Sequence, residues 1–318
     1  MTPTVLLLGI GLILIIKGGD LFVDAATWMA EAFGIPKFII GATVVSLATT
    51  LPELLVSAIA AIDGKVDMAI GNAVGSVTAN IGLIMAIALL WMPTTIRRRE
   101  YFMKCALMLG AAFLIALFGR HGMFGIFPSI LLLMLFLIAV WENIIITKQT
   151  HCNSPEPDVP PDKQRKTVAV NILIFLIGAV AIVFGADLLV ENGSQIALLV
   201  GIPERVISVT VIAIGTSLPE LITTTTAIAK RQAALSIGNI VGANIIDLTL
   251  ILPVCSLLYG NALPVSPQVA AVDLPACLLI CAIAVVPTLL TRRFHRWQGI
   301  VLLFGYFGYL YITGFLMI

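Results

Sequence analysis

Long apolar runs alternate with short polar breaks along almost the whole chain. Each run is close to the roughly 20 helical residues that cross the hydrocarbon core of a bilayer. The pattern therefore predicts ten membrane-spanning helices, at residues 3–30, 37–62, 66–90, 102–119, 125–147, 168–195, 204–229, 233–259, 270–290 and 297–317. The predicted fold class is an all-α integral membrane protein.

A polar stretch at residues 148–167 divides the chain into halves of five predicted spans each. Its four prolines indicate a short linker without a domain of its own. When the N-terminus is placed outside, 15 of the 18 Lys and Arg residues fall on the cytoplasmic side, as the positive-inside rule requires. We therefore expect a multi-pass protein of the plasma (inner) membrane, with both termini extracytoplasmic and the linker cytoplasmic.

The two halves, residues 1–147 and 168–318, contain one sequence pattern twice. When the chain is shifted by 167 residues, 22 of the 63 pairs between Gly18 and Asn80 are identical to their partners. The motif T-T-L-P-E aligns with T-S-L-P-E, and G-N-A-V-G-S aligns with G-N-I-V-G-A, within regions at about 41–80 and 208–247. Because five spans per half is an odd number, the second repeat is predicted to insert upside down, which is typical of secondary transporters.

Composition excludes several other classes of protein. The chain is 60% hydrophobic and 11% charged, against about 25% charged residues in soluble domains. Its net charge of +1 and the lack of a basic patch interleaved with aromatic residues give no sign of nucleic-acid binding. The five cysteines lack metal-ligand spacing and are interpreted as packing residues, so no cofactor is expected.

The second copy of the motif predicts a broken helix inside a membrane span. Pro219 removes a backbone donor, and Gly215 adds local freedom. The break is expected to expose carbonyl groups near Ala213 and hydroxyl groups at Thr216 and Ser217. Irregular backbone at membrane depth is tolerated only where it is buried in protein or lines a cavity.

Carboxylates accompany this break and its counterpart in the first copy. Glu53 and Glu220 follow equivalent L-P pairs, and Asp247 lies in the span after Glu220. An ionisable side chain inside a span is costly and indicates function. The first copy adds further oxygen-bearing side chains, namely Ser46, Thr49, Thr50, Ser76 and Asn80. Folding the two halves antiparallel is expected to bring these groups together near the membrane midplane.

Such a donor set indicates a site for hard cations. Calcium prefers six to eight oxygen ligands, and sodium has a similar size and preference. The motifs contain no His or Cys to favour zinc or copper, and no basic residue to neutralise the carboxylates. Cations or protons must therefore compensate the negative charge, and the empty site should cross the membrane poorly. This favours the exchange of one cation load for another.

Several polar residues have an alternative structural interpretation. Asn72 and Asn239 could bond neighbouring helices instead of ions. The hydroxyl groups of the motifs could bond carbonyls of their own helices. The carboxylates near the predicted span ends favour solvated or capping roles; they are Asp20, Asp24, Asp187 and Glu191.

The paired motifs resemble the repeats of the sodium/calcium exchanger family, within the cation/calcium antiporter superfamily, and are most similar to its short prokaryotic members. The resemblance implies Na⁺-driven exchange of Ca²⁺ by alternating access, with calcium extrusion as the main direction. It implies Na⁺, Ca²⁺ and the lipid bilayer as partners, and no enzymatic activity. The implied ion ligands are the side chains of Glu53, Glu220, Asn80, Asp247, Thr49, Thr50, Thr216, Ser217 and Ser76, and the backbone carbonyls of Ser46 and Ala213.

The chain also departs from the family pattern. Val77 stands where the family usually has Asn, and Ala243 stands where it often has Ser. The lost hydroxyl is expected to weaken a flanking Na⁺ site. Asp247 resembles the acidic residue of the potassium-dependent branch, so Ca²⁺/H⁺ exchange and K⁺-dependent Na⁺/Ca²⁺ exchange are alternatives on the same fold.

Two other functions, an intramembrane protease and a channel, fit the residues less well. An intramembrane aspartyl protease would have a G-x-G-D motif, which neither copy contains. A channel does not need inverted halves with Pro-broken helices. For an exchanger, we expect spans 1 and 6 to slide across the other spans, with Gly18, Gly19 and Gly185 providing smooth faces.

Overall fold

The computed structural model describes residues 2–92, 98–151, 161–199 and 217–316, and most of these residues are helical. The helices of the first half are α1 Thr2–Ala32, α2 Lys37–Ile40, α3 Ser46–Ile62, α4 Val66–Ala79, α5 Ala86–Trp91, α6 Arg98–Gly119 and α7 Ile126–His151. Those of the second half are α8 Pro161–Leu199, α9 Leu218–Ala229, α10 Ala233–Ile246, α11 Leu252–Tyr259, α12 Leu274–Thr291 and α13 Arg296–Tyr311.

Five π-helical segments among the described residues connect or extend these helices. Gly41–Val45 joins α2 to α3, and Val269–Asp273 precedes α12. Asn80–Met85 joins α4 to α5, and Asp247–Ile251 joins α10 to α11. The last segment, Ile312–Leu316, follows α13. Wide turns of this kind inside α-helices are frequent at functional sites. Asn80 and Asp247, which occupy equivalent positions of the two repeats, each begin such a segment.

Eight helical stretches of the described chain are long and apolar enough to cross a membrane. They are Pro3–Ala32, Lys37–Ile62, Val66–Trp91, Tyr101–Gly119, Ile126–Lys148, Thr167–Gly193, Ala233–Tyr259 and Val269–Thr291. Each coincides with one of the predicted spans. Half of the predicted seventh span, residues 204–216, lies outside the described residues, and α13 with its π-helical extension coincides with the tenth. The count of ten and the inversion of the second half stay predictions.

The helices extend into the stretch interpreted as a linker. α7 continues to His151, and α8 begins at Pro161. Proline is well suited to the first turn of a helix, because its missing N–H group has no partner there and its φ angle is already helical. Pro161, one of the four prolines that were interpreted as marking a linker, therefore starts a helix.

The described residues also contain one small sheet that the hydrophobic pattern did not predict. The strands β1 Met123–Phe124 and β2 Leu263–Pro264 pair antiparallel, with Phe124 opposite Leu263. Two-residue strands are too short to give an alternating pattern that sequence reasoning could recognise.

The helices pack as two compact units. The first packing unit comprises residues 1–49 and 143–239, and the second comprises residues 50–142 and 240–318. Each unit contains segments of both sequence repeats. The packing therefore groups the chain differently from the predicted halves.

In the first packing unit, α1 lies antiparallel against α8 at unusually short range. A Cβ atom added to Gly18 would lie 3.0 Å from the Gly178 carbonyl oxygen, and one added to Gly185 would lie 2.8 Å from the Gly11 carbonyl oxygen. Small residues allow helix backbones to approach closely in membranes. The stacked rings of Phe22 and Phe175, with centroids 4.3 Å apart, extend the same contact.

Lys230 connects α1 to the turn between α9 and α10 within the same unit. Its Nζ lies 3.2 Å from Asp20 Oδ1 and 2.8 Å from Asp24 Oδ1. Partial burial by itself would lower the pKa of Lys230, but the hydrogen bonds and charges of Asp24 and Asp20 raise it above its ordinary value. The side chains of Asp20 and Asp24 are 46% and 69% exposed, which agrees with the solvated role expected near a span end, and they also share a tertiary partner.

In the second packing unit, α6 and α12 pack together, and α13 contacts α5 and α12. Close helix contacts again depend on glycine, because a Cβ atom added to Gly299 would lie 2.8 Å from the Ala86 carbonyl oxygen. A buried ion pair joins α6 to α7, where Lys104 Nζ lies 3.0 Å from Glu142 Oε2 and Lys104 is only 1% exposed. Glu142 therefore has a tertiary role inside the protein.

Candidate functional site

The two L-P-E motifs lie in different local structures. Pro52 is inside the continuous helix α3, where the missing N–H group leaves the Ala48 carbonyl without its usual helical donor. Pro219 lies in the first turn of α9, where no helical donor is lost. The expected break at Pro52 is therefore wrong in its position, since the irregular backbone of the first copy is the π-helical segment Gly41–Val45.

Two close helix contacts in the first packing unit position part of the candidate donor set. An added Cβ atom at Gly41 would lie 2.8 Å from the backbone nitrogen of Asn239, and one at Gly238 would overlap the Phe38 carbonyl. The start of α10 therefore lies directly against the segment that leads into α3. Only glycine at these positions permits this approach.

Ser46 and Thr49 use their hydroxyl protons within this contact. Ser46 Oγ donates to the Thr43 carbonyl at 3.1 Å. Thr49 Oγ1 shares its proton between the Ser46 carbonyl and Asn239 Oδ1, each at 3.3 Å. A hydroxyl group that donates its proton in this way keeps its oxygen lone pairs for a cation. Both side chains are buried.

Ser217 and Glu220 lie at the N-terminal end of α9, in the same unit. Ser217 occupies the N-cap position but makes no capping hydrogen bond, and its buried hydroxyl has no partner among the described residues. Glu220 lies in the first helical turn and is 1% exposed. Thr216 and Ala213 lie outside the described residues.

The second packing unit holds the remaining candidates, all of them buried. They are Thr50, Glu53, Ser76, Asn80 and Asp247. Glu53 and Asp247 are each 1% exposed. The hydroxyl of Ser76 and the side-chain oxygen of Asn80 are buried without a hydrogen-bond partner in the described part of the chain.

Amide side chains support this second group. Asn72 Nδ2 donates to the Glu53 carbonyl at 3.1 Å and to Ser57 Oγ at 2.8 Å, which ties α4 to α3. Asn80 Nδ2 donates to Asn244 Oδ1 at 3.2 Å. Asn72 and Asn239 therefore both make hydrogen bonds between helices, the alternative role considered for them.

Sequence reasoning missed Ser57 and Asn244 as members of this network. Asn244 lies three residues before Asp247, so the helical spacing placed it beside the motif face without indicating a partner. Ser57 lies one turn after Glu53 and gave no separate signal.

The described residues contain no group of three or more His, Cys, Asp or Glu side chains that could hold a metal ion on its own. The cysteines at 105, 255, 277 and 281 are free and buried. The oxygen donors of the motifs are therefore mainly hydroxyl, amide and carbonyl groups around a few carboxylates.

Comparison with known families decides the family of the chain. The family model described as "Sodium/calcium exchanger protein" matches residues 3–144 and 170–315, one match in each predicted half. The chain belongs to the sodium/calcium exchanger family. It is thus a multi-pass membrane protein and a cation/calcium antiporter, from a family of transporters, not of catalysts.

Individual members of the exchanger family resemble the chain over most of its length. The sodium/calcium exchanger MaX1 of Methanosarcina acetivorans is 30% identical over 350 residues, covering 98% of this chain and 99% of that protein. The inner membrane protein YrbG of Escherichia coli is 31% identical over 283 residues, covering 87% and 86%. The structure of the sodium-calcium exchanger NCX_Mj soaked with 10 mM Na⁺ matches with a TM-score of 0.80 and 29% identity, covering 98% of both chains.

Proposed function

We propose that this exchanger couples Na⁺ entry to Ca²⁺ extrusion across the plasma (inner) membrane by alternating access. The observation that carries the proposal is the burial of Glu53, Glu220 and Asp247, each 1% exposed, within repeated polar motifs of an antiporter of this family. Buried carboxylates in a membrane protein require compensating cations or protons. The solved relative NCX_Mj was soaked with Na⁺ together with Ca²⁺ or Sr²⁺, which supports these ions as cargo.

The proposed assignment of ligands to Ca²⁺ and Na⁺ follows from the charge of each ion and the type of each ligand. Ca²⁺ would bind the carboxylates of Glu53 and Glu220 with the hydroxyls of Thr49 and Thr216, because a divalent ion needs the greatest negative charge. Na⁺ would use these positions and the remaining donors, namely Thr50, Ser217, Ser76, Asn80, Asp247 and the carbonyls of Ser46 and Ala213. The hydroxyl of Thr49 has the proton arrangement that this role needs, since it donates to other acceptors.

Access would alternate by movement of α1 together with α8. The glycine contacts between these two helices support a paired movement, because close backbone packing leaves little room for independent motion. In the proposed topology the repeats are inverted, the termini are extracytoplasmic, and the segment at residues 148–167 lies on the cytoplasmic side. The alternative is K⁺-dependent exchange, which is favoured by a 29% identity over 164 residues to the sodium/potassium/calcium exchanger 2 of Gallus gallus.

Gradient-driven uptake of ⁴⁵Ca²⁺ into proteoliposomes tests the coupling ion. Vesicles loaded with Na⁺, K⁺ or acidic buffer are diluted into medium that lacks the loaded cation. We expect uptake only with internal Na⁺, unaffected by K⁺ on either side. Uptake that needs K⁺ with Na⁺ would establish the K⁺-dependent alternative, and uptake driven by the proton gradient alone would overturn Na⁺ coupling.

A further inference from the structure

The side chain of Asn80 is held by an amide that lies in the opposite repeat. Asn80 Nδ2 donates to Asn244 Oδ1 at 3.2 Å, and both residues belong to the second packing unit. Asn80 is 1% exposed and Asn244 is fully buried. The bond joins the first residue of the π-helical segment Asn80–Met85 to α10.

This hydrogen bond fixes which end of the Asn80 amide is available to a ligand. A carboxamide has a donating nitrogen and an accepting oxygen, and only the oxygen can bind a cation. With its nitrogen engaged by Asn244, Asn80 keeps Oδ1 buried and without a partner among the described residues. The opposite orientation of the amide would present two N–H groups to an approaching cation and repel it.

The arrangement is one-sided with respect to the repeats. Asn80 aligns with Asp247, and Asn244 aligns with Val77. Val77 has no polar atom in its side chain, so this position of the first repeat cannot donate or accept a hydrogen bond through its side chain. A carboxylate does not need such help, because both of its oxygens can accept. An amide ligand needs an acceptor for its nitrogen, so that its oxygen faces the ion. A polar residue therefore matters more at position 244 than at position 77.

We propose that Asn244 is a positioning residue for cation binding, which acts by orienting the oxygen of Asn80 toward the transported ion. The inference rests on the proposed function, in which Asn80 is a cation ligand. Asn244 itself does not bind the ion in this account. Its removal should weaken ion binding without slowing the movement of an already loaded protein.

A double-mutant cycle tests this role. The substitution N244V copies the residue that the other repeat carries at the aligned position. We expect N244V to raise KM for Na⁺ by about 5- to 10-fold, the size of one lost hydrogen bond, with kcat close to the wild-type value. N80A should do the same, and the double variant N80A/N244V should be no worse than N80A, because Asn244 acts only through Asn80.

Controls separate this inference from a general loss of stability. N192A removes another buried amide, one that bonds only the Leu188 carbonyl of its own helix, and should leave KM unchanged. If N244V does not fold, N244A removes the same amide with less crowding and carries the same expectation. A wild-type KM in the folded variant, or additive effects of N80A and N244V, would overturn the inference.

Direct binding distinguishes this failure from failure of the proposed function. Equilibrium binding of ²²Na⁺ to the purified full chain reports on the site even without exchange. If the wild-type protein binds Na⁺ but does not exchange it for Ca²⁺, the proposed coupling fails, while weaker Na⁺ binding by N244V still supports the role of Asn244. If N244V binds Na⁺ like the wild type, or if the wild type binds none, the inference fails.

Discussion

At the scale of single residues, the asparagines of the repeats define the local chemistry more sharply than the carboxylates alone. Asn72 and Asn239 occupy equivalent positions, yet they make different bonds. Asn72 donates to the Glu53 carbonyl and to Ser57, whereas Asn239 accepts from Thr49. The duplicated sequence therefore does not imply duplicated bonding. Each amide supports a neighbouring candidate ligand in its own packing unit.

Replacement of Asn72 by alanine should destabilise the L-P-E helix of the first repeat. The change removes two hydrogen bonds, so we expect a loss of about 1–3 kcal/mol in unfolding free energy. Thermal unfolding of the purified protein measures the effect. N171A is the matched control, because Asn171 is partly exposed and its bond among the described residues is to the Thr167 carbonyl of its own helix. Equal unfolding temperatures for N72A and the wild type would show that the bonds carry no net stability.

At the scale of helices, much was predictable from sequence and some was not. Apolar runs of membrane length predict helices with little ambiguity, and eight such stretches occur where the pattern placed them. The effect of proline was less predictable, because Pro52 is accommodated within α3 and Pro161 begins α8. The outcome depends on whether neighbouring groups replace the lost bond, which a single sequence does not reveal. The hydrogen bond between Asn80 and Asn244 depends on tertiary packing for the same reason.

Crosslinking α1 to α9 should stop exchange if α1 must move. A Cβ atom added to Gly19 would lie 3.7 Å from Thr226 Cβ, within the range of about 3.5–4.5 Å that a disulfide needs. In a background without native cysteines, oxidised G19C/T226C should lose exchange, recover it after reduction, and still bind ⁴⁵Ca²⁺.

The pair G11C/L188C is the matched control on the contact between α1 and α8. There an added Cβ atom at Gly11 would lie 3.1 Å from Leu188 Cβ, so the two helices must separate by a few tenths of an ångström for this disulfide to form. Because α1 and α8 are expected to move together, this crosslink should spare exchange. Full activity of oxidised G19C/T226C would rule out the proposed movement of α1 relative to α9.

At the scale of the whole molecule, duplication and packing follow different boundaries. The family matches cover residues 3–144 and 170–315, whereas each packing unit combines parts of both matched segments. Neither half could therefore complete its own packing alone. The duplication was visible in sequence because identical motifs recur at a fixed shift of 167 residues. The exchange of segments between packing units was not visible, because hydrophobic periodicity gives the faces of helices but not their partners.

The proposed exchange depends most directly on the carboxylates of Glu53 and Glu220. Na⁺-loaded proteoliposomes are diluted into Na⁺-free buffer that contains ⁴⁵Ca²⁺, with wild-type protein, Glu53→Gln, Glu220→Gln and, as control, Glu191→Gln at an exposed carboxylate outside the motifs. We expect Na⁺-dependent uptake of ⁴⁵Ca²⁺ by the wild type and by the control Glu191→Gln. We expect this uptake to fall by at least about 100-fold in Glu53→Gln and in Glu220→Gln, because a buried cation without its carboxylate partner is strongly disfavoured. Undiminished uptake by either Glu53→Gln or Glu220→Gln would contradict the proposed role of these carboxylates.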